Sequence, residues 1–401
     1  MARDARRLRG VVIGGGGTGL AVAYDLANRG FDVTLFERGE LTSGTTGRHH
    51  GQLHSGARYA VHDVEIAREC MRETRILRRI SPGAIERNYG VFVGIGDDAE
   101  YLPEFRDACA DAGIPTEEVS PRYARTIEPN LTEKVSAAVL VPDGTIDAWR
   151  LALEFAAAAV GHGAEIRTYS PVVAIEHRDG SVMGVRVRIN EAREEFFAAD
   201  FVVNAAGAWA GRIAAMADLP LEVTPAPGTM VAVKGRLTNM VVSRLQPPGD
   251  GDIVVPQRKL SIIGSTQSLT DDPDNVVATD EEIEFLIRKG ALLVPGLADA
   301  ELHAAWSAVR PLYGANGADG RSLSRGFRCI DHAADGVAGL FSVVGGKATV
   351  LRAMAEDVTD EICRYCAVDV PCRTADTPLP GHREYYHGEA AGERFRTGSH
   401  T

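Results

Sequence analysis

Three things are scarce in this 401-residue sequence: basic charge, cysteine and long apolar runs. Lysine and arginine number 43 against 55 acidic side chains, a net charge of -12. The field around the molecule therefore repels phosphate backbones and anionic headgroups, which argues against nucleic acid as a partner. A few converging arginines can still hold a small anionic substrate, because net charge says little about one pocket. Six cysteines in a chain of this length do not suggest a disulfide scaffold. The closest approach to a metal pattern is Cys363, Cys366 and Cys372 in CRYCAVDVPC. Three thiols with no fourth ligand downstream read as helix and helix-end cysteines of a reduced, cytoplasmic protein, so no metal is expected. The longest apolar stretch, LALEFAAAAV from Leu151 to Val160, is too short to cross a bilayer and contains Glu154. The basic start MARDARRLRG runs into VVI and glycines, too little for a signal-peptide core. The expectation is a protein without an export signal or transmembrane segment, at most peripherally attached to a membrane.

What is present suits an enzyme: 45% apolar and 24% charged residues, and length enough for two domains or one fold with a large insertion. Leu8 to Ile13 is a short β-branched run that breaks into GGGGTGL; Ala21 to Asn28 then carries helical spacing up to Gly30, and FDVTLFE alternates like a strand. That is a strand–glycines–helix–strand unit. Helices are predicted over Val64 to Arg79, Leu102 to Gly113 and Asp280 to Leu292, and an alanine-rich one ending near His162. Asp179-Gly180 sits between alternating runs as a hairpin turn. Phe341 to Ile362 repeats the opening pattern of strand, two glycines and helix. From Thr374 onward the chain is polar and reads as loop or disordered tail.

Gly14, Gly16 and Gly19 satisfy G-x-G-x-x-G directly after a strand and at the mouth of a helix, the context this dinucleotide fingerprint requires. The first glycine allows the tight turn, the second lets a pyrophosphate approach the backbone, and the third lets helix pack on strand. Glu37 follows Gly14 by 23 residues and ends the second strand, where a carboxylate can accept from ribose hydroxyls and disfavours a 2′-phosphate. The fingerprint alone does not choose between NAD and FAD. Between Thr42 and Ala60 lies TSGTTGRHHGQLHSGARYA, three histidines, two arginines and four glycines in nineteen residues, patterned as neither helix nor strand.

Taken together, GGGGTG, GTTGRHHGQLHSGARYA, LVPDGTIDAWRL, VVNAAGAWA, IIGSTQ, VRPL followed by LSRG, and VVGGKAT resemble the FAD-dependent glycerol-3-phosphate dehydrogenases, within them the anaerobic-type large catalytic subunit. The resemblance runs from about residue 8 to about 380, with the motifs in order. It implies an α/β fold: a Rossmann-like FAD-binding domain of the D-amino-acid-oxidase type with an inserted sheet-rich substrate (cap) domain. The boundaries expected are 8–88, 139–222 and 323–371 for the FAD domain, 89–138 and 223–322 for the cap, and 372–401 for a polar tail.

The resemblance also implies roles. Gly14, Gly16, Gly17, Thr18, Gly19, Glu37 and Arg38 belong to the dinucleotide site, with Val173, Ala205, Ala206, Gly207 and Trp209. Ser43, Gly44, Thr45, Thr46, His50, Gly51 and Leu53 follow the pyrophosphate and flavin ring; Gly345, Gly346, Lys347, Ala348 and Thr349 approach its pyrimidine edge. Reduced flavin is negative near N1, and a helix starting near Lys347 would turn its positive end there. Arg58, Arg310, Arg325 and Lys347 match the family's substrate cations, with Tyr59 beside them, and a guanidinium holds phosphate or carboxylate in two parallel hydrogen bonds. Arg310 thus counts as substrate anchor and catalytic group, and either His54 or Lys347 takes the hydroxyl proton. FAD is expected to be non-covalent, although His49 and His50 stand where some relatives in the wider superfamily attach flavin.

The implied reaction is oxidation of an anionic secondary alcohol, sn-glycerol 3-phosphate to dihydroxyacetone phosphate first. Alternatives are another phosphorylated or phosphonylated polyol, a 2-hydroxy acid or an amine, or a non-catalytic flavoprotein electron-transfer subunit. A quinone, a partner subunit or oxygen would accept the electrons, and a homo-oligomer is compatible with the sequence. Three departures stand out. The family's cysteine-rich C-terminal domain has no counterpart before Thr401, so an iron–sulfur route is expected to be missing or on another polypeptide. Pro227 replaces a lysine and Met230 a histidine found in aerobic members. Val350 and Leu351 replace a threonine–tyrosine pair, and Arg258 and Lys259 bring charge to a strand that is usually not basic.

Overall fold

A computed structural model describes residues 7–190, 193–313 and 326–387. The chain divides into two compact units, one of residues 1–47, 148–224 and 311–401, the other of 48–147 and 225–310.

The first unit is built on a six-stranded sheet in the order Phe327–Asp331, Leu340–Gly345, Phe201–Asn204, Arg9–Ile13, Asp32–Phe36, Glu165–Arg167. Every pairing is parallel except the edge pair Phe327–Asp331 with Leu340–Gly345. Parallel strands are covered on both faces, and Val11, Val12, Val202 and Val203 are accordingly buried in unbroken apolar runs. Helix Gly17–Asn28 packs with helices Ala148–Gly161 and Leu351–Tyr365. The antiparallel meander Val172–Arg178, Ser181–Asn190, Arg193–Ala198 packs Ile175, Val185 and Val187 into one core with Val11, Phe36 and Val202. Its first turn is Asp179-Gly180, both at positive φ (52° and 76°), the hairpin that Asp-Gly favours.

The second unit holds an eight-stranded sheet in the order Leu302–Tyr313, Val223–Lys234, Leu260–Gly264, Ile253–Gln257, Val241–Arg244, Gly90–Ile95, Val135–Val141, Glu117–Val119. A small sheet pairs Gln52–Leu53 and Ile85–Glu86 with Gly144–Ile146. Helix Val64–Ile80 buries Ala67 and Met71 against Phe92, Val139 and Leu245. These contacts are why residues 48–88 and 139–147 group with the large sheet, whereas the sequence boundaries assign them to the FAD domain.

Two further differences are physical. The nineteen-residue loop is not wholly irregular: it contains short 3-10 turns at Thr46–Arg48 and Ala57–Tyr59 and the strand Gln52–Leu53. The segment read as loop or disordered tail is docked on the first unit as far as His387. Thr374 is buried and accepts from Arg352 Nη1 at 3.1 Å, and Tyr386 stacks on Trp149 at 6.4 Å. No helix among the described residues is long and apolar enough to cross a membrane.

Candidate active site

The dinucleotide cradle lies within the first unit. Strand Arg9–Ile13 leads into Gly14 at φ 114°, where a Cβ would sit 2.6 Å from the Ala205 carbonyl oxygen. At Gly19 a Cβ would sit 2.0 Å from the Gly14 carbonyl oxygen, so only glycine lets the helix lie this close to the turn. Helix Gly17–Asn28 has no side-chain cap from Gly16 and no acidic residue in its first turn. Gly17 N–H donates to Thr46 Oγ1 at 3.0 Å. A first turn without acidic residues, lined by backbone that a Cβ would obstruct, fits a pyrophosphate.

Glu37 is half-buried, and its carboxylate is already organised: Oε2 accepts from Gly15 N–H at 2.6 Å and Oε1 from Gly39 N–H at 2.8 Å. Each oxygen keeps a second lone-pair direction suited to a ribose hydroxyl. The Arg38 guanidinium covers the Trp209 ring at 4.4 Å, and a Cβ at Gly44 would meet that ring at 3.3 Å. Ser43 is exposed, Thr45 and Thr18 are half-buried, and Val173 lies half-buried in the meander beside the core residue Val172. Ala205, Ala206 and Gly207 form the turn after Phe201–Asn204. Asn204 braces it, its side-chain amide donating to Ala210 O at 2.9 Å and Ser342 Oγ at 3.1 Å.

Strand Leu340–Gly345 ends in two left-handed glycines, Gly345 (φ 81°) and Gly346 (φ 78°). A Cβ at Gly345 would sit 2.4 Å from Gly326 O, and one at Gly346 2.4 Å from Met354 Sδ. Lys347, Ala348 and the buried Thr349 then enter a 3-10 turn, Ala348–Val350, that continues into helix Leu351–Tyr365. No acidic residue occupies this start either, as negative charge on a reduced flavin requires. Val350 and Leu351 are buried at this helix start, so the departure from the family's threonine–tyrosine pair fills core.

The part of the histidine loop from Arg48 onward belongs to the second unit. Gly51 O accepts from Ile146 N–H at 2.7 Å, and Gln257 Nε2 donates to Ile146 O at 2.9 Å. The buried Asp143 carboxylate holds the next turn, accepting from Ser55 N–H at 2.6 Å and Gln52 Nε2 at 2.8 Å; burial raises its pKa against those bonds. His49 Nδ1 accepts from Gly51 N–H at 2.9 Å and His50 Nδ1 from Gln52 N–H at 3.1 Å. Both rings are therefore neutral with the proton on Nε2. Burial pushes His49 down to about 4. Burial and then the charges of His49, Arg310 and Arg58 push His50 down to about 3. His54 is buried, with its ring centroid 5.8 Å from His50 and 5.4 Å from Tyr59, and its carbonyl accepts from Thr74 Oγ1 at 2.7 Å.

Both shifts make the fold acid-sensitive. The unfolded chain protonates both rings near pH 6.5 and the folded one only near 3 to 4, so their contribution is complete above 6.5 and lost as pH falls toward those values. Each ring steepens the acid side of the stability curve by at most about 1.4 kcal/mol per pH unit. His50→Gln should accordingly flatten the decline of denaturation midpoint between pH 7 and 5; a slope identical to wild type would contradict the depressed titration.

Arg58 is committed to an ion pair. Nη1 donates to Asp252 Oδ2 at 2.9 Å, Nη2 meets Oδ1 at 2.8 Å, and Nη2 also donates to Gly249 O at 3.0 Å. Arg310 sits differently, in a cup of oxygens: Nη2 donates to Ser265 Oγ and to Thr266 O (3.2 Å), Nη1 to Ala226 O and Pro227 O (both 3.4 Å). A Cβ at Gly228 would lie 2.4 and 2.6 Å from its two terminal nitrogens, so glycine makes the room. Met230 is core, packed with Ile262 and Ala308, and Arg258 is exposed and paired with Asp147. Arg325 lies outside the described residues. Sequence reasoning did not single out Asp143, Gly228 or Asp252. The one available signal was Asp143 inside LVPDGT, whose polar turn follows an apolar strand. Among the described residues, no group of three or more histidine, cysteine, aspartate or glutamate side chains could hold a metal ion.

A doubly wound sheet with a glycine cradle, an organised acidic residue and a second glycine turn marks a dinucleotide-binding protein. The chain belongs to the FAD dependent oxidoreductase family, whose model matches residues 10–360. It is 44% identical to a subunit of the anaerobic glycerol-3-phosphate dehydrogenase of Haloferax volcanii, over 94% of this chain and 67% of that protein. It is 42% identical to a subunit of the anaerobic glycerol-3-phosphate dehydrogenase of Escherichia coli, over 95% of this chain and 72% of that protein. Its fold matches the FAD complex of glycerol-3-phosphate dehydrogenase from Bacillus halodurans with a TM-score of 0.73, at 23% identity, covering 98% of this chain and 72% of that one.

Proposed function

We propose that the protein oxidises sn-glycerol 3-phosphate to dihydroxyacetone phosphate. The observation that carries this is 44% identity, over 94% of the chain, to a protein named as part of an anaerobic glycerol-3-phosphate dehydrogenase. FAD, when bound non-covalently, supplies the hydride acceptor. The cradle from Gly14 to Glu37 and the turn at Ala205–Gly207 hold its dinucleotide part, and Lys347 with the helix start behind it favours negative charge at the pyrimidine edge.

Arg310 anchors the phosphate. Donation to Ser265 Oγ and to the carbonyls of Thr266, Ala226 and Pro227 orients its guanidinium, and it is a residue that matches one of the family's substrate cations. Arg58, with its fork on Asp252, holds the 249–252 turn. His54 or Lys347 takes the hydroxyl proton; His49 and His50 each use Nδ1 as an acceptor and keep their proton on Nε2, so neither is free to act as base. Electrons pass onward to a partner polypeptide, as the naming of the relatives as subunits suggests, and the protein works in the cytoplasm or at a membrane surface.

The test is anaerobic flavin bleaching of purified holoprotein with sn-glycerol 3-phosphate, a phosphonylated polyol, a 2-hydroxy acid and an amine. Glycerol 3-phosphate should bleach the visible band at the lowest concentration. Preference for another compound would reassign the substrate, and a band that no compound bleaches would favour an electron-transfer role.

A further inference from the structure

We propose that Glu282 is a positioning residue for the anion anchor, setting Arg310 through Thr266 and Thr229. The inference deepens the substrate reading above and rests on it.

Glu282 stands three residues after Thr279 at the start of helix Asp280–Leu293 and completes a capping box. Thr279 Oγ1 accepts from Glu282 N–H at 3.3 Å, and Glu282 Oε2 accepts from Thr279 N–H at 3.2 Å. Capping occupies one carboxylate oxygen. Here the carboxylate reaches further: Oε1 accepts from Thr266 Oγ1 and Oε2 from Thr229 Oγ1, each at 2.7 Å. Both threonines are buried.

The proton directions follow from this. An ionised carboxylate only accepts, so both hydroxyls must donate to it. Thr266 Oγ1 then accepts from Thr229 N–H at 2.9 Å, and Thr229 Oγ1 accepts from Ser307 Oγ at 2.8 Å. One carboxylate thereby fixes every hydroxyl in the group and ties together three segments: the strand Val223–Lys234, the residues just after Leu260–Gly264, and the strand Leu302–Tyr313.

Those same segments make the seat of Arg310. Thr266 O and its neighbour Ser265 accept from Nη2, Ala226 O and Pro227 O accept from Nη1, and Arg310 itself lies three residues after Ser307. The seat has little tolerance, because the guanidinium lies against the backbone of Gly228 with no room for a methyl group. A shift of Thr266 relative to Thr229 moves the oxygens that aim the guanidinium, and catalysis is sensitive to displacements of about an ångström.

Steady-state kinetics of the holoprotein with sn-glycerol 3-phosphate test this. Glu282→Ala should raise KM by roughly tenfold or more while kcat stays within about threefold and FAD content is unchanged. Glu282→Gln should recover most of the affinity, since its amide can accept from Thr266 and donate to Thr229. Thr266→Val, which removes one hydroxyl and keeps the shape, should move KM in the same direction and carries the test if Glu282→Ala does not fold. Thr279→Ala removes the side-chain cap alone and should lower Tm with KM unchanged. If Glu282→Ala behaves like Thr279→Ala, losing stability at unchanged KM, Glu282 is only a helix cap and the proposal is overturned. If wild type is not reduced by glycerol 3-phosphate, the substrate reading fails instead, and the same variants are scored with whichever anionic compound bleaches the flavin.

Discussion

Replacing Arg310 by alanine should raise KM for sn-glycerol 3-phosphate by about ten- to a hundredfold while the purified variant keeps its FAD. The size follows from one charge-assisted hydrogen bond to an anion, about 1.5–3 kcal/mol, because Nη1 and Nη2 already donate to four oxygens of the cup. Retention of FAD follows from location: the residues of the cradle, from Gly14 to Glu37, belong to the first unit, and Arg310 belongs to the second. The alanine variant removes the guanidinium from Ser265 Oγ and the carbonyls of Ala226, Pro227 and Thr266; Pro227 O keeps Ser268 N–H at 3.0 Å, and water can replace the lost donor in a half-buried cup. Arg310→Lys should recover only part of the affinity, because an ammonium is a point charge without the planar fork. Flavin absorbance against protein absorbance reads cofactor content, and initial rates with an artificial acceptor read KM. An apoprotein whose KM is normal after reconstitution would make Arg310 a structural group.

The parts of this arrangement that were legible in the sequence are those whose causes are local. A β-branched run broken by GGGGTGL, and Asp179-Gly180 between alternating runs, carry their own turn chemistry, and both occur where that chemistry puts them. Strand Val241–Arg244 was not legible. It is four residues long, too short to show a pattern, and although it pairs antiparallel with Ile253–Gln257 its other partner, Gly90–Ile95, lies about 150 residues earlier. The site divides the same way. Glycine positions and candidate cations can be seen in a linear pattern, but their partners cannot: Asp252 is 194 positions from the Arg58 it engages, and Asp143 is 88 from Ser55. Arg58 and Arg310 look alike as letters. One faces a buried carboxylate and the other donates to three carbonyls and a serine hydroxyl, surroundings that the letters do not carry.

Gly19→Ala should give a protein that purifies largely without FAD and unfolds at a lower temperature, although it adds only one methyl group. The added Cβ would lie 2.0 Å from the Gly14 carbonyl oxygen, 3.1 Å from its carbon and 3.4 Å from Ala205 Cβ. The first two are backbone atoms, so no side-chain rotation relieves the overlap. Gly14 cannot retreat easily, because its N–H is bonded to Phe36 O at 2.8 Å and the Ala205 carbonyl lies on its other side. The helix must therefore move away from the turn, at a cost of about 1–3 kcal/mol or more for overpacking. That movement carries the N–H groups of Gly16 and Gly17 out of register with a pyrophosphate, so cofactor binding suffers as well as stability, and loss of bound FAD lowers apparent stability again. Gly161→Ala is the matched control. It lies at the end of helix Ala148–Gly161 in the same unit, with nothing within 4 Å of an added Cβ, and should keep both flavin content and melting temperature. Flavin-to-protein absorbance ratios and thermal melts of the two variants decide the matter: equal FAD occupancy in both would mean that the close approach at Gly19 is not what shapes the cradle.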